Sequence, residues 1–155
     1  MLVDHAIAID VPNVQVVAHY SNIQSYTGSD PHQSGYAVVI YKRHDGYLFG
    51  DFTYAPGSTE GSGGRLLDLR IDGKRISFKA KTSSAYDATN RRPTRELFEF
   101  KGIFDGNALI GILTLWNGYA TSEPQSKQQV KLKREKIAMP LSYEAHQKIF
   151  PSDAW

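Results

Sequence analysis

Three guanidinium side chains fall within five residues in Asn90-Arg91-Arg92-Pro93-Thr94-Arg95. Planar, permanently charged forks of this kind grip carboxylates and phosphates through paired hydrogen bonds. Pro93 restricts the backbone that carries them. Asp87 and Glu96 flank the group, so the competing reading is a solvated loop partly neutralised by its neighbours, and charge clusters on surfaces favour that reading. Tyr26, Tyr54, Tyr86 and Tyr119 stand in similar polar, glycine- or serine-containing stretches, together with Asp30, His32, Asp87, Asn117, Glu60 and Glu123. Tyr and Arg combine large contact area with directional polar groups, which suits them to recognition. Loops are polar by default, and that is the plain alternative for the set.

Other chemistry is thinly represented. There is no cysteine, so disulfides, thiolate metal sites and a Cys nucleophile are excluded. His5, His19, His32, His44 and His146 show no metal-ligand spacing, and the sequence implies no metal and no cofactor. Neither a Gly-x-Ser-x-Gly elbow nor a phosphate loop is present. Gly57-Ser58-Thr59-Glu60-Gly61-Ser62-Gly63-Gly64 is glycine-rich, but no Lys-Ser/Thr pair follows it. His19, Asp51 and Arg134 occupy strand positions that could face an interior, where an isomerase- or cyclase-type acid–base pair or a structural ion pair would need them. A non-enzymatic protein is the expectation.

The elements that must position these groups are strands. Leu67, Leu69 and Ile71 alternate with Asp68 and Arg70. Ile76, Phe78 and Ala80 alternate with Arg75, Ser77, Lys79 and Lys81, and Phe98, Phe100, Gly102 and Phe104 with Glu99 and Lys101. One apolar and one wet face is the pattern of an antiparallel sheet. Eight strands are expected at Val14–Gln24, Tyr36–Arg43, Tyr47–Tyr54, Arg65–Ile71, Arg75–Lys81, Glu96–Phe104, Ala108–Trp116 and Gln128–Lys136. Tight turns at Asp45-Gly46, Asp72-Gly73 and Asp105-Gly106-Asn107 alternate with long connections near Ser25–Ser34, Ala55–Gly64, Ser83–Arg95 and Gly118–Ser126. In a meander that alternation sends every long connection to one end. Residues 1–12 form an N-terminal arm, and 142–150 a short C-terminal helix capped by Ser142. Strand seven is apolar on both faces (Ile110, Ile112 and Trp116 on one, Leu109, Leu113 and Leu115 on the other), so the helix or the arm is expected to cover its outside. The Ala37–Tyr41 strand is the second candidate for such cover.

Closing eight strands into an up-and-down barrel removes both sheet edges. A two-sheet sandwich is the alternative. Eight meandering antiparallel strands followed by a helix resemble the calycin superfamily of lipocalins, fatty-acid-binding proteins and avidins. The resemblance covers most of the chain at the level of architecture. Where lipocalins carry Gly-x-Trp in their first strand this chain has His19-Tyr20, and Leu115-Trp116-Asn117 is similar to only one of the avidin tryptophan motifs, so biotin binding is not implied.

The expected function is binding. A small, partly apolar or anionic ligand would sit in one 155-residue barrel domain or at its mouth. Phe98, Phe100, Phe104, Ile112 and Trp116 would supply an apolar wall, and the loop tyrosines with Arg91, Arg92 and Arg95 the polar contacts. The alternative is a module that grips a protein partner, such as an immunity or antitoxin protein. A packed interior would favour the partner and a cavity the small ligand. Eighteen basic against sixteen acidic residues, net charge +2, give no reason to expect nucleic acid, and the outward lysines lack aromatic neighbours for base stacking. The N-terminus does not read as a signal peptide and no apolar run approaches a membrane span, so a cytoplasmic protein of open oligomeric state is expected.

Overall fold

A computed structural model of the chain describes residues 14–58, 61–136, 140–151 and 155. The N-terminal arm expected at residues 1–12 and Glu60 lie outside the described residues. The strands are β1 (Val14–Ser21), β2 (Gln24–Tyr26), β3 (His32–Arg43), β4 (Leu48–Ser58), β5 (Ser62–Arg65), β6 (Leu67–Asp72), β7 (Arg75–Thr82), β8 (Tyr86–Asp87), β9 (Arg92–Pro93), β10 (Glu96–Asp105), β11 (Ala108–Asn117) and β12 (Ser126–Arg134), with one helix, α1 (Tyr143–Ile149). The main sheet runs β5-β4-β3-β1-β12-β11-β10-β7-β6, with β2 added to β3, and every pairing is antiparallel. Its first and last strands, β5 and β6, are consecutive in the chain, so the sheet curls into a nearly closed barrel rather than a sandwich.

The main sheet has ten strands instead of the expected eight for two local reasons, and β8 and β9 form a separate two-stranded sheet. The segment expected as strand four pairs with β4 up to Arg65, then with β7 from Leu67, and Leu66 separates the two ladders. The Ser25–Ser34 connection is itself a hairpin that adds β2 to the start of β3. Turn chemistry holds as the sequence implies: Gly46, Gly73 and Gly106 take positive φ at the three tight turns, where a side chain would be strained. All three turns share one end of the barrel, with the connections 22–31, 83–95 and 118–125 at the other.

Aromatic rings fill the interior. Phe52, Phe78, Phe98 and Phe100 are each at most 1% exposed. Phe52 and Phe98 lie 4.9 Å apart, and Phe78 and Phe100 are stacked at 5.2 Å. Gly102 and Gly111 face each other across β10 and β11 and leave room for the Phe100 ring, which a Cβ on either would meet at 2.6 Å. Alternation in β7 and β10 follows the sequence pattern. In β6 it does not. Asp68 takes φ 51 at a bulge, so Leu66 joins the core with Leu69 and Ile71 while Leu67 falls outside that cluster.

Helix α1 forms where expected, with the Ser142 side chain accepting from the Ala145 amide. It does not cover strand seven. Its Tyr143 packs on a second cluster outside the barrel, made of Val39, Tyr41 and Phe49 with Val14 and Val16. Strand seven instead turns Leu109, Leu113 and Leu115 inward and leaves Ile112 38% exposed. The helix instead covers the outer face of β3 and β4, so the Ala37–Tyr41 strand, the second candidate, is the one that receives apolar cover.

Candidate functional site

Tyr54 and Leu115 are inward-facing residues at the long-connection end, packed against the top of the core. Above them lies a cleft of about 280 Å³ lined by these two with Asp87, Arg92, Arg95, Glu96, Asn117 and Tyr119 among others. Two connections build it. The first is the 83–95 segment, which folds back as the β8–β9 hairpin with Tyr86 opposite Pro93 and Asp87 opposite Arg92. The second is the β11–β12 connection, where Asn117 Oδ1 accepts from the Tyr119 amide at 2.9 Å and the Tyr119 hydroxyl donates to the Pro93 carbonyl at 2.9 Å. Beside the cleft, Trp155 donates its indole N–H to the Thr82 carbonyl at 2.9 Å.

Glu96 anchors the first of these connections. It is 8% exposed and accepts from Thr82 Oγ1 (3.1 Å), Thr94 Oγ1 (3.0 Å), the Ser84 amide and the Ser84 hydroxyl. Neutral donors therefore satisfy this carboxylate, with no cation needed. Asp87 is held below the usual carboxylate range by the Asn90 side chain first, then by backbone amides and the nearby Arg92. Burial pushes the Tyr54 phenol up, helped by the neighbouring Tyr36 and Glu96, so it stands in the cleft as a neutral donor.

The cations alternate with rings. The Arg92 guanidinium carbon lies 3.5 Å from the Tyr119 ring centre and that of Arg95 4.5 Å from it; Arg95 is also 5.5 Å from the Trp155 ring, over which Lys81 Nζ sits at 4.6 Å. Stacking of this kind fixes the position of long cationic side chains while leaving their N–H groups available. Among the described residues the salt bridges are His32–Asp30, Arg43–Asp45, Lys101–Glu99 and His146–Asp51, none involving Lys81, Arg92 or Arg95. Arg92 Nε is buried without a hydrogen-bond partner.

The fold thus brings together Tyr54, Arg92, Arg95 and Tyr119 from the sequence-derived set. Tyr26, Tyr86 and Arg91 do not line the cleft: Tyr26 stacks on His32 at 4.5 Å, and Tyr86 is 63% exposed. Phe98 and Phe100 are sealed in the core, with Phe104 packed against it, whereas Ile112 and Trp116 share the outward parity of β11. His19 also faces outward, its Nδ1 on the Lys136 carbonyl at 2.9 Å. Asp51 lies outside the barrel beneath α1, 3.2 Å from His146 Nε2, and Arg134 is exposed, so none of these three forms a polar pair inside the barrel. Trp155 and Thr82 were not singled out from the sequence. The one signal for Trp155 was Gly118, whose missing side chain leaves the space that the indole occupies.

No helix among the described residues is long and apolar enough to cross a membrane, and no group of His, Asp and Glu among them could hold a metal ion. No protein-family model matches the chain, and searches of curated proteins and of solved structures give no significant match.

Proposed function

We propose that this protein is a non-catalytic binding protein that takes the anionic part of a small ligand in the cleft at its long-connection end. We further read β5 and β6 as one stave interrupted at Leu66, which makes the barrel an eight-stave, calycin-like one. The observation that carries the functional reading is the unpartnered, buried Arg92 Nε within a stack of cations and rings that engages no carboxylate. Buried polar groups without partners are rare and call for one. A carboxylate or phosphate oxygen would complete this one. Tyr54 and Leu115 offer the floor on which an apolar or aromatic portion of the ligand would rest. With phenylalanines filling the axis, the ligand is a rim ligand, not an interior one.

The test is thermal denaturation with a panel of small aromatic carboxylates and organic phosphates, repeated on Arg92→Gln. A ligand present at a hundred times its Kd stabilises by about 2.7 kcal/mol, or roughly 5–10 °C in Tm. The variant should lose that shift. A panel without effect, or one acting equally on the variant, would overturn the reading.

The packed interior also favours a second reading, in which a protein partner is gripped. Ile103 and Ile112 are exposed at 45% and 38% on the outward faces of the neighbouring strands β10 and β11, beside Lys101. Retention of one defined chain by the protein purified from its source, lost in Ile103→Ser/Ile112→Ser, would favour it over the small ligand.

A further inference from the structure

The barrel fails to close at one place. β4 is paired with β3 along its length, but its other edge carries β5 only from Asp51 to Tyr54, followed by one bond from the Leu66 amide to the Gly50 carbonyl at 2.8 Å. Beyond that bond β6 turns to β7, and no ladder joins β4 to β6 among the described residues. The two edges are therefore pinned at Gly50 and Leu66 and part toward the tight-turn end. Antiparallel strands present backbone groups to alternate sides. The bond from the Arg43 amide to the Tyr47 carbonyl sets the phase, so Tyr47 and Phe49 bond to β3 while the Leu48 N–H and C=O point into the seam.

A cavity of about 390 Å³ occupies this seam. Leu48, Phe49 and Gly50 form one side, Leu66, Leu67, Asp68 and Leu69 the other, and Tyr143, His146 and Gln147 of α1 the rim. Leu48 and Leu69 also pack against the inner core, so the seam gives access to apolar surface as well as to strand edges without a ladder partner among the described residues.

We propose that the seam binds an extended peptide segment from a partner, added as a strand along the Leu48 edge of β4. Two features select this occupant. The unladdered backbone groups ask for another backbone, which an extended peptide supplies and a compact apolar ligand does not. Asp68 stands exposed at a bulge on the facing edge, and its charge favours a segment with lysine between its aliphatic residues. The run Tyr47–Gly50, which has no ladder on this side among the described residues, is four residues long, so a matching segment is short, with aliphatic side chains at alternate positions entering between Leu48 and Leu69.

The experiment is a titration of the isotope-labelled protein, followed by amide chemical shifts, with a pool of hexapeptides carrying Val, Ile or Leu at alternate positions and Ser or Lys between. Saturable shifts at Leu48, Gly50 and Leu67–Leu69, without matching shifts at Arg92 or Tyr119, are expected. The same pool N-methylated at alternate residues should bind at least about tenfold more weakly, because it cannot donate to the edge. Replacing Leu67 by Arg at the outer margin of the seam should weaken binding while leaving the unbound spectrum dispersed. No saturable shift, equal binding of the methylated pool, or concentration-dependent dimerisation through these same amides would each overturn the proposal. None of these outcomes touches the rim cleft, whose own test uses small anions and Arg92.

Discussion

Removing the ring of His146 tests whether the barrel's outside is organised as described. His146 is fully buried between α1 and the β3–β4 face, with ring centres 5.6 Å from Tyr41, 5.0 Å from Phe49 and 4.8 Å from Phe150. Its Nε2 donates to Asp51, which is itself 7% exposed. His146→Ala deletes a packed aromatic ring, about 2–3 kcal/mol by area and cavity, and strips a partner from a buried carboxylate, about 1–2 kcal/mol more. The sum, about 3–5 kcal/mol, is a large part of the stability of an ordinary domain. In urea it should lower the unfolding midpoint by about 2 M. His146→Phe keeps the ring but not the bond and should lose only the smaller share. A cycle with Asp51→Ala separates the two terms, since partners in one buried bond couple by about 0.5–3 kcal/mol. A loss below about 1 kcal/mol for His146→Ala, or strict additivity with Asp51→Ala, would refute the reasoning.

Three further outcomes follow from close contacts and shifted acids. Gly64→Ala would drive a Cβ into the Lys81 carbonyl oxygen on β7, so it should destabilise by about 2 kcal/mol in urea titration and loosen the approach of β5 to β7. Burial, and second the Asp51 carboxylate beside it, raise the Tyr41 phenol well above its ordinary value. Because the folded value is the higher one, the stability linked to it is complete below about pH 10 and falls as pH rises further; Tyr41→Phe should flatten the alkaline limb of a stability–pH curve. Asp87 is shifted the opposite way by the Asn90 side chain, so its contribution is present above about pH 4 and lost on acidification below that. Amide exchange at Thr89 and Asn90 should accelerate there, and Asp87→Asn should remove that acid dependence.

Strand positions were legible because alternation is a local property, and the sheet's one-sided wetting survives into the fold. Phe98, Phe100 and Ile76 could be placed by parity alone. The errors come from contacts that parity cannot see. Asp68 takes a backbone conformation uncommon for a non-glycine residue and so exchanges Leu67 for Leu66 in the core. Strand seven is apolar on both faces, yet the helix packs on β3 and β4, where Val39, Tyr41 and Phe49 offer apolar contact and Asp51 a buried partner for His146. Histidine at 146 gave no hint of that bond, since its partner lies ninety-five positions earlier.

The rim cleft shows the same division more sharply. Arg92, Arg95 and Tyr119 were suspect by type, because the sequence crowds guanidiniums beside Pro93 and sets Tyr119 in a long connection. What type alone does not reveal is that Glu96, the obvious counter-charge, is satisfied by Thr82, Ser84 and Thr94, which leaves the guanidiniums to the rings. Nor does it reveal Trp155, which stands beside the rim with its indole N–H on the Thr82 carbonyl and its ring near Arg95. Arg95 thus lies between two rings that come from distant parts of the chain. The Trp155 side of the stack is held by one bond to the Thr82 carbonyl, while the Tyr119 side is fixed by both Asn117 and Pro93.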